Sequence, residues 1–373
     1  MQLDVADQAQ RGDRWFLLPA AIALASRLYS IAVLLVLDAL PGMRPHLLTV
    51  WDAAWYVRIA EAGYHGGVVH GGHDFAFFPA WPLLIKLGSL GIFPLSLTGA
   101  VLANVCFIAA ALLIWRVLAD RLGEAIATAA LLLLAFAPSA YVFSLPYSEP
   151  LFLLAAGSYF FARPESRWRM PAAALAMFTR IAGIGLVASA LVRAATSQGR
   201  GRLDALGAAA AGCLAFAIWW SFIALLTGQF TGFLLGSPTW AGGGSGLTRI
   251  GVALTHLNLA RLAWLGFTGL VAVGAAVLFR RDRELAVFGA VVLALSLLPG
   301  GTVNSMPRYT LSAFPAFAGL ALVLGRLDRR AVWVAAALFA LGQIAFAALI
   351  LAAPPLGVAP CGNGAARRSS GQE

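Results

Sequence analysis

In "WDAAWYVRIAEAGY" (residues 51–64) a carboxylate, Asp52, stands among aromatic side chains, in a chain where only 11% of residues are charged. As the first residue of a helix it has two readings. Asp in a first turn favours the helix dipole and can satisfy free backbone N–H groups. At a membrane surface, partly buried beside Trp51 and Trp55, it is also a candidate general base. Arg180, in "TRIAG", lies inside an apolar run, where a guanidinium costs roughly 2.5–3.5 kcal/mol on insertion scales. It either pairs with Glu149 or holds an anionic ligand, for which its fork is well shaped toward phosphate. Arg308, in "NSMPRY", makes the same offer from an interface, where snorkelling also accounts for it. Glu149, in "LPYSEP", fits a helix start with Ser148 before it and Pro150 in the first turn.

Other groups point less firmly to chemistry. His65, His70, His73 and Asp74 are metal-ligand types, but their spacing matches no established site. Arg27, within the first apolar run, reads as a helix-packing partner or a snorkelled group. There is no P-loop, GxGxxG or GxSxG in a suitable context, so nucleotide-driven chemistry is not expected. Cys106, Cys213 and Cys361 are far apart and suggest neither a disulfide framework nor zinc. No cofactor is expected; the chemistry would allow a divalent metal but does not call for one.

An acid at an interface, arginines near the same leaflet and aromatics between them suit a lipid-linked phosphate donor. The leaving phosphodiester-like anion needs positive charge, which suits Arg180 and Arg308. The acceptor hydroxyl needs a base, which suits Asp52. The faces of Trp51, Trp55, Tyr56, Tyr147 and Tyr309 suit the C–H faces of a sugar, and water-poor surroundings protect it from hydrolysis.

These residues must be positioned by helices in lipid. The chain has 373 residues, 61% of them hydrophobic, too apolar for a soluble domain of this length. Apolar runs at 15–37, 97–117, 124–143, 149–162, 170–194, 204–226, 261–279, 284–299, 309–325 and 331–352 predict an all-α polytopic membrane protein of about ten to eleven segments. They form one domain over 1–352, followed by a polar tail, 353–373, of disordered composition. The first run lacks a convincing cleavage site and reads as a retained helix. The formal charge of +10 falls in arginine clusters between runs, a positive-inside pattern rather than a nucleic-acid surface. On that pattern the N-terminus is cytoplasmic and the tail outward. The 38–96, 144–150, 227–260 and 300–309 connections face outward as well.

One run breaks the alternation. Segment 170–194 has arginine clusters at both ends, so both should be cytoplasmic. Met170 to Arg180 spans only about 16 Å as a helix, roughly half a ~30 Å hydrocarbon core. A hairpin of two short helices turning near Thr179–Gly183 fits, with Arg180 in a cavity. The 38–96 stretch is itself apolar; Asp52, Tyr56, Ile59 and Gly63 share one helical face with Trp55 beside it.

The ordered stretches "WDAAWYVRIAEAGY", "FAFFPAWP", "LPYSEPLF", "TRIAGIGL" and "SMPRYTLSAFP" resemble the motifs of the PIG-V family, which includes the enzyme adding the second mannose in glycosylphosphatidylinositol assembly. The resemblance runs from Trp51 to Pro315. It implies a GT-C membrane glycosyltransferase fold with a large first outward loop. It also implies a polyprenyl- or dolichyl-phosphate mannose donor, and outward-side transfer with inversion. Carried over, Asp52 is the base, Arg180 and Arg308 contact phosphate, and Glu149 lines the donor or acceptor site. Asp74 stands two residues before "AFFP", near where relatives place an acid, and Trp240 in "SPTWAGG" resembles a Trp of the family's large outward loop.

The alanine- and arginine-rich composition suggests a high-GC bacterium and hence its inner (plasma) membrane. The acceptor expected there is a glycolipid, a glycan or a protein. A polytopic transporter or lipid-linked sugar flippase is the alternative, since broken helices and a midplane arginine serve transport too. No internal repeat supports it.

Overall fold

In a computed structural model of the chain, the residues described are 14–41, 47–69, 72–163, 166–241, 251, 254–255, 258–295 and 305–352. The tail, 353–373, lies outside them, as does His70. Among the described residues there is no strand, and one isolated bridge joins Val69 to Gly72.

The helices follow from the apolar runs. They are α1 (Leu17–Asp38), α2 (Asp52–Ala62), α3 (Ala80–Gly88), α4 (Leu95–Leu122), α5 (Glu124–Ala135), α6 (Glu149–Phe161), α7 (Arg169–Thr179) and α8 (Ile184–Thr196). Then come α9 (Gly199–Thr227), α10 (Gly232–Ala241), α11 (Leu259–Leu278), α12 (Arg283–Leu295), α13 (Met306–Leu311), α14 (Phe314–Leu327) and α15 (Arg329–Ala352). Among the described residues five helices, α1, α4, α9, α11 and α15, are long and apolar enough to cross a membrane. The remaining apolar helices are shorter and packed within the bundle, α4 along α6, α6 along α7, and α14 along both α5 and α11. At the α11–α14 crossing Gly274 meets Gly319, where any Cβ would collide with the facing backbone, so only glycine permits the approach.

Besides the 170–194 run, two apolar runs are not single helices. The 124–143 run stays helical only to Ala135; Pro138 follows, and residues Ala140–Ser144 form a 3-10 turn. The cause is local, because proline removes a donor and clashes with the preceding turn. Arg27 of α1 satisfies the oxygens this break leaves. It is 3% exposed and donates to Ala135 O (3.2 Å), Ala140 O (3.1 Å) and Ser144 Oγ (3.1 Å), with its guanidinium 4.4 Å from the Phe107 ring centre. Its role is helix packing, one of the two expected of it. The 309–325 run likewise divides, with Ser312 and Ala313 separating α13 from α14 ahead of Pro315.

The 170–194 run is a hairpin. Arg180 is extended, a short 3-10 turn spans Ile181–Gly183, and a Cβ at Gly183 would lie 2.5 Å from Met177 Cα. Both limbs pack on α9, where a Cβ at Gly212 would lie 2.7 Å from Val187 Cγ2 of α8 and 4.0 Å from Ala173 O of α7. The limbs' far ends meet: Arg169 and Arg193 approach Glu284 at 3.8 and 3.7 Å. Cysteines at Arg167 and Ser197, in a background lacking the native cysteines, should therefore label with an impermeant maleimide from one side of the membrane. Labelling from opposite sides would be incompatible with the hairpin.

Glu284 also pairs with Arg121 (3.1 Å), which reaches Asp282 as well (3.0 Å), while Arg169 lies 3.5 Å from Asp204. Three arginines from the basic clusters are thus ion-paired between helices. At the other end, the head, α2 packs against α3 and α4. Its Trp55, Tyr56 and Ile59 pack with Phe77, with Trp81 and Ile85 of α3, with Ala103 and Cys106 of α4, and with Leu151 of α6.

Candidate active site

Asp52 opens α2 and lies in its first turn. The residue before it, Trp51, has φ 54°, ψ −119°, a conformation rare for a bulky side chain. The chain turns there so that the Asp52 carboxylate leaves the helix start and meets Arg308, Oδ2 to Nη1, at 2.5 Å.

Arg308 in turn places Nε 3.2 Å from Glu149 Oε1, and Arg180 Nη1 lies 2.7 Å from the same oxygen. The four form one chain, Asp52–Arg308–Glu149–Arg180. Glu149 is fully buried, Arg308 and Arg180 have 12% and 13% of their side chains exposed, and Asp52 has 27%. Burial works against the charge on Arg308, but Asp52 and Glu149 outweigh it and hold the guanidinium more firmly charged than usual.

Each member is placed by a separate element. Glu149 starts α6, yet Ser148 does not cap that helix; its Oγ accepts from Arg180 Nη1 (3.0 Å) and shares a 2.7 Å hydrogen bond with Tyr56 Oη. Trp81 Nε1 donates to Pro146 O (3.1 Å) and Tyr147 Oη to Val50 O (3.2 Å), tying the 145–148 segment to α3 and to the residues just before α2. Arg308 rides on α13, pinned by Ser139 Oγ donating to Pro307 O at 2.7 Å. Its guanidinium lies 5.0 Å from the Tyr147 ring centre and 5.1 Å from that of Tyr309, which also faces Arg180 at 5.6 Å. Arg180 comes from the hairpin turn.

The structure therefore brings together Asp52, Glu149, Arg180 and Arg308 with Tyr56, Tyr147 and Tyr309. The Arg180–Glu149 pairing weighed against ligand binding is present. Snorkelling does not describe Arg308, whose side chain is turned into the protein. Glu149 is sealed beneath the arginines rather than exposed as a lining. Trp55 and Tyr56 are each 4% exposed; Trp55 stacks on Phe77 and carries Arg58 at 3.6 Å, so both rings form wall rather than open surface. Trp51 is half-buried beside Asp52.

Asp74 does not join this cluster. It is 1% exposed and accepts from His65 N and pairs with His65 Nδ1, both at 2.9 Å, beyond the far end of α2. About 16 Å of helix separate that dyad from Asp52. His73 turns instead to Gly67 O (3.3 Å) and the Phe75 ring. Trp240 is in α10, with its side chain outside the described residues. Sequence reasoning missed Ser148 as a link between Tyr56 and Arg180, since Ser-Glu-Pro is an ordinary helix start. Its signal was the tyrosine beside it in a segment with little other polarity.

The fold that holds this buried charge cluster is an apolar helical bundle with the short helix α2 packed at one end. The crystal structure of ArnT from Cupriavidus metallidurans bound to undecaprenyl phosphate is similar to it, with TM-score 0.54 and 15% identity over 91% of this chain and 77% of that one. The Archaeoglobus fulgidus oligosaccharyltransferase gives TM-score 0.49 at 13% identity, covering 92% of this chain and 55% of that one. At 15% identity the likeness to ArnT is one of fold, the GT-C type. No curated protein matches the chain.

The family model for mannosyltransferase (PIG-V) matches residues 20–200. That stretch contains four of the five motifs, with Asp52, Glu149 and Arg180, and bears out the resemblance; Arg308 lies beyond it. Family match and fold together support a membrane glycosyltransferase.

Proposed function

We propose that the protein transfers a mannosyl (hexosyl) residue from a polyprenyl-phosphate donor to a hydroxyl of a glycolipid, glycan or protein acceptor, with inversion. The head of the bundle would face outward from a bacterial inner membrane. The observation that carries this reading is the four-membered chain of Asp52, Arg308, Glu149 and Arg180. It sets a carboxylate able to take a proton beside two guanidinia able to take a phosphate. That ArnT, of the same fold, holds undecaprenyl phosphate favours the donor class.

In this reading the acceptor oxygen attacks the anomeric carbon from the face opposite the phosphate. Its proton goes to Asp52, and the C1–O bond breaks with its electron pair left on the phosphate, beside Arg180 and Arg308. Glu149 keeps the two guanidinia close without itself touching the sugar. Tyr309, half-buried beside both Arg308 and Arg180, stands where a sugar face could rest.

The test is transfer by the purified protein in vesicles, using synthetic polyprenyl-phosphate [14C]mannose and glycolipids extracted from a deletion strain. Label should move to the acceptor fraction. Donor crossing the bilayer with no label transferred would mean a flippase.

A further inference from the structure

The charges at the head of α2 balance. Two carboxylates, Asp52 and Glu149, face two guanidinia, Arg180 and Arg308, and each guanidinium already touches a carboxylate oxygen. A lipid-linked phosphodiester brings one more negative charge into a site where water is scarce. An anion enters such surroundings only with a partner, and a carboxylate that keeps its guanidinium leaves none.

The two carboxylates are not equally easy to dislodge. Glu149 is fully buried and lies against both arginines, Oε1 at 2.7 Å from Arg180 and 3.2 Å from Arg308. Displacing it would strand a charge in the core. Asp52 is held through one Arg308 nitrogen, and 27% of its side chain is already exposed.

Resting on the donor class proposed above, we infer that the donor phosphate replaces the Asp52 carboxylate on Arg308, and that this exchange frees Asp52 to act as the base. The Tyr147 and Tyr309 rings flank the guanidinium, so Arg308 can change partner without leaving its packing. Before the exchange, the Asp52 carboxylate is held on Arg308 Nη1 through Oδ2, and the exchange releases that oxygen for the hydroxyl proton. An acceptor that arrives first therefore meets an engaged base. The donor binds first.

The same exchange runs backward after transfer. The acceptor oxygen has bonded to C1, its proton sits on Asp52, and the polyprenyl phosphate keeps Arg308. A protonated Asp52 is neutral and cannot compete for the guanidinium. Once it loses the proton to water, the restored carboxylate reclaims Arg308 and the phosphate is expelled. Proton loss precedes product release.

The inference is tested by binding of undecaprenyl phosphate, without sugar, to purified wild-type protein, Asp52→Asn, Arg308→Gln and the double variant. Asparagine serves a helix start about as well as aspartate, and Glu149 retains Arg180 in every variant. Competition between close charges of this kind predicts that Asp52→Asn binds about tenfold tighter or more. In the Arg308→Gln background the Asp52 substitution should bring no gain. Unchanged or weaker binding by Asp52→Asn overturns the exchange. So does a gain that persists without Arg308, which would reflect simple repulsion. If the wild type and all variants fail to bind the phospholipid, the donor class itself falls, and the exchange with it.

Discussion

Replacing Asp52 by asparagine is expected to lower turnover by about 10²- to 10⁴-fold, the usual contribution of general-base catalysis. A helix-start role would predict almost no effect, because asparagine caps about as well as aspartate. An amide keeps the size and helix position but does not accept the acceptor's proton. Nor is a folding defect expected. The loss of Asp52 leaves Arg308 beside Glu149 at 3.2 Å and between two tyrosine rings. The measurement is single-turnover transfer from polyprenyl-phosphate mannose, with size-exclusion behaviour as the folding control. Tighter phosphate binding together with slower transfer would mark a residue that both competes with the donor and serves the reaction. Near-wild-type turnover would return Asp52 to the helix-start explanation and remove the base from the mechanism.

The Arg180 substitutions separate charge from shape. Arg180→Ala should cost about 10²- to 10³-fold in kcat, the scale seen when one preorganised donor to a developing anion is removed. The protein should remain folded, because Glu149 still faces Arg308. Arg180→Lys should fall between, since an ammonium supplies a point charge but no bidentate fork. Glu149→Gln is the contrasting case. It removes the only anion that bridges Arg180 and Arg308 in the four-membered chain, leaving two buried guanidinia facing each other. Breaking a buried pair in this way costs about 3–5 kcal/mol, so the loss should appear in thermal stability as well as in rate. Should Arg180→Ala unfold the protein as readily as Glu149→Gln does, Arg180 would be a structural partner and not a phosphate ligand.

Much of the architecture was legible in the chain itself. Residence in lipid follows from composition, because burying so many apolar side chains needs no tertiary knowledge. The hairpin over 170–194 was legible for a geometric reason. Arginines at both ends and a limb of eleven residues, Arg169–Thr179, cannot make a single crossing. The position of Asp52 at a helix start, and of Glu149 at another, could likewise be read from neighbours in sequence. The splitting of 124–143 was not foreseen, although Pro138 was there to signal it. Apolar pattern alone carries the run through Pro138, while the fold ends the helix there and gives the freed carbonyls to Arg27.

Partnership was decided elsewhere. Arg308 looked like an interfacial arginine whose charge reaches for water, and only the folded chain turns it toward Asp52. That contact depends on α13 being held to Ser139 and on the strained turn at Trp51, two constraints from opposite ends of the chain. The basic clusters show the same division. Their sign marks them as loop charges, yet Arg121, Arg169 and Arg193 are drawn between helices by Asp204, Asp282 and Glu284. Asp74 is the converse, since its place before "AFFP" suggested the reacting centre and the fold paired it with His65 beyond the other end of α2. Residue type and local pattern set which groups carry charge and which segments enter lipid, because both are properties of one segment and its solvent. Which charge meets which depends on how distant helices pack, and a Coulomb energy that varies with separation and burial is undetermined until they do.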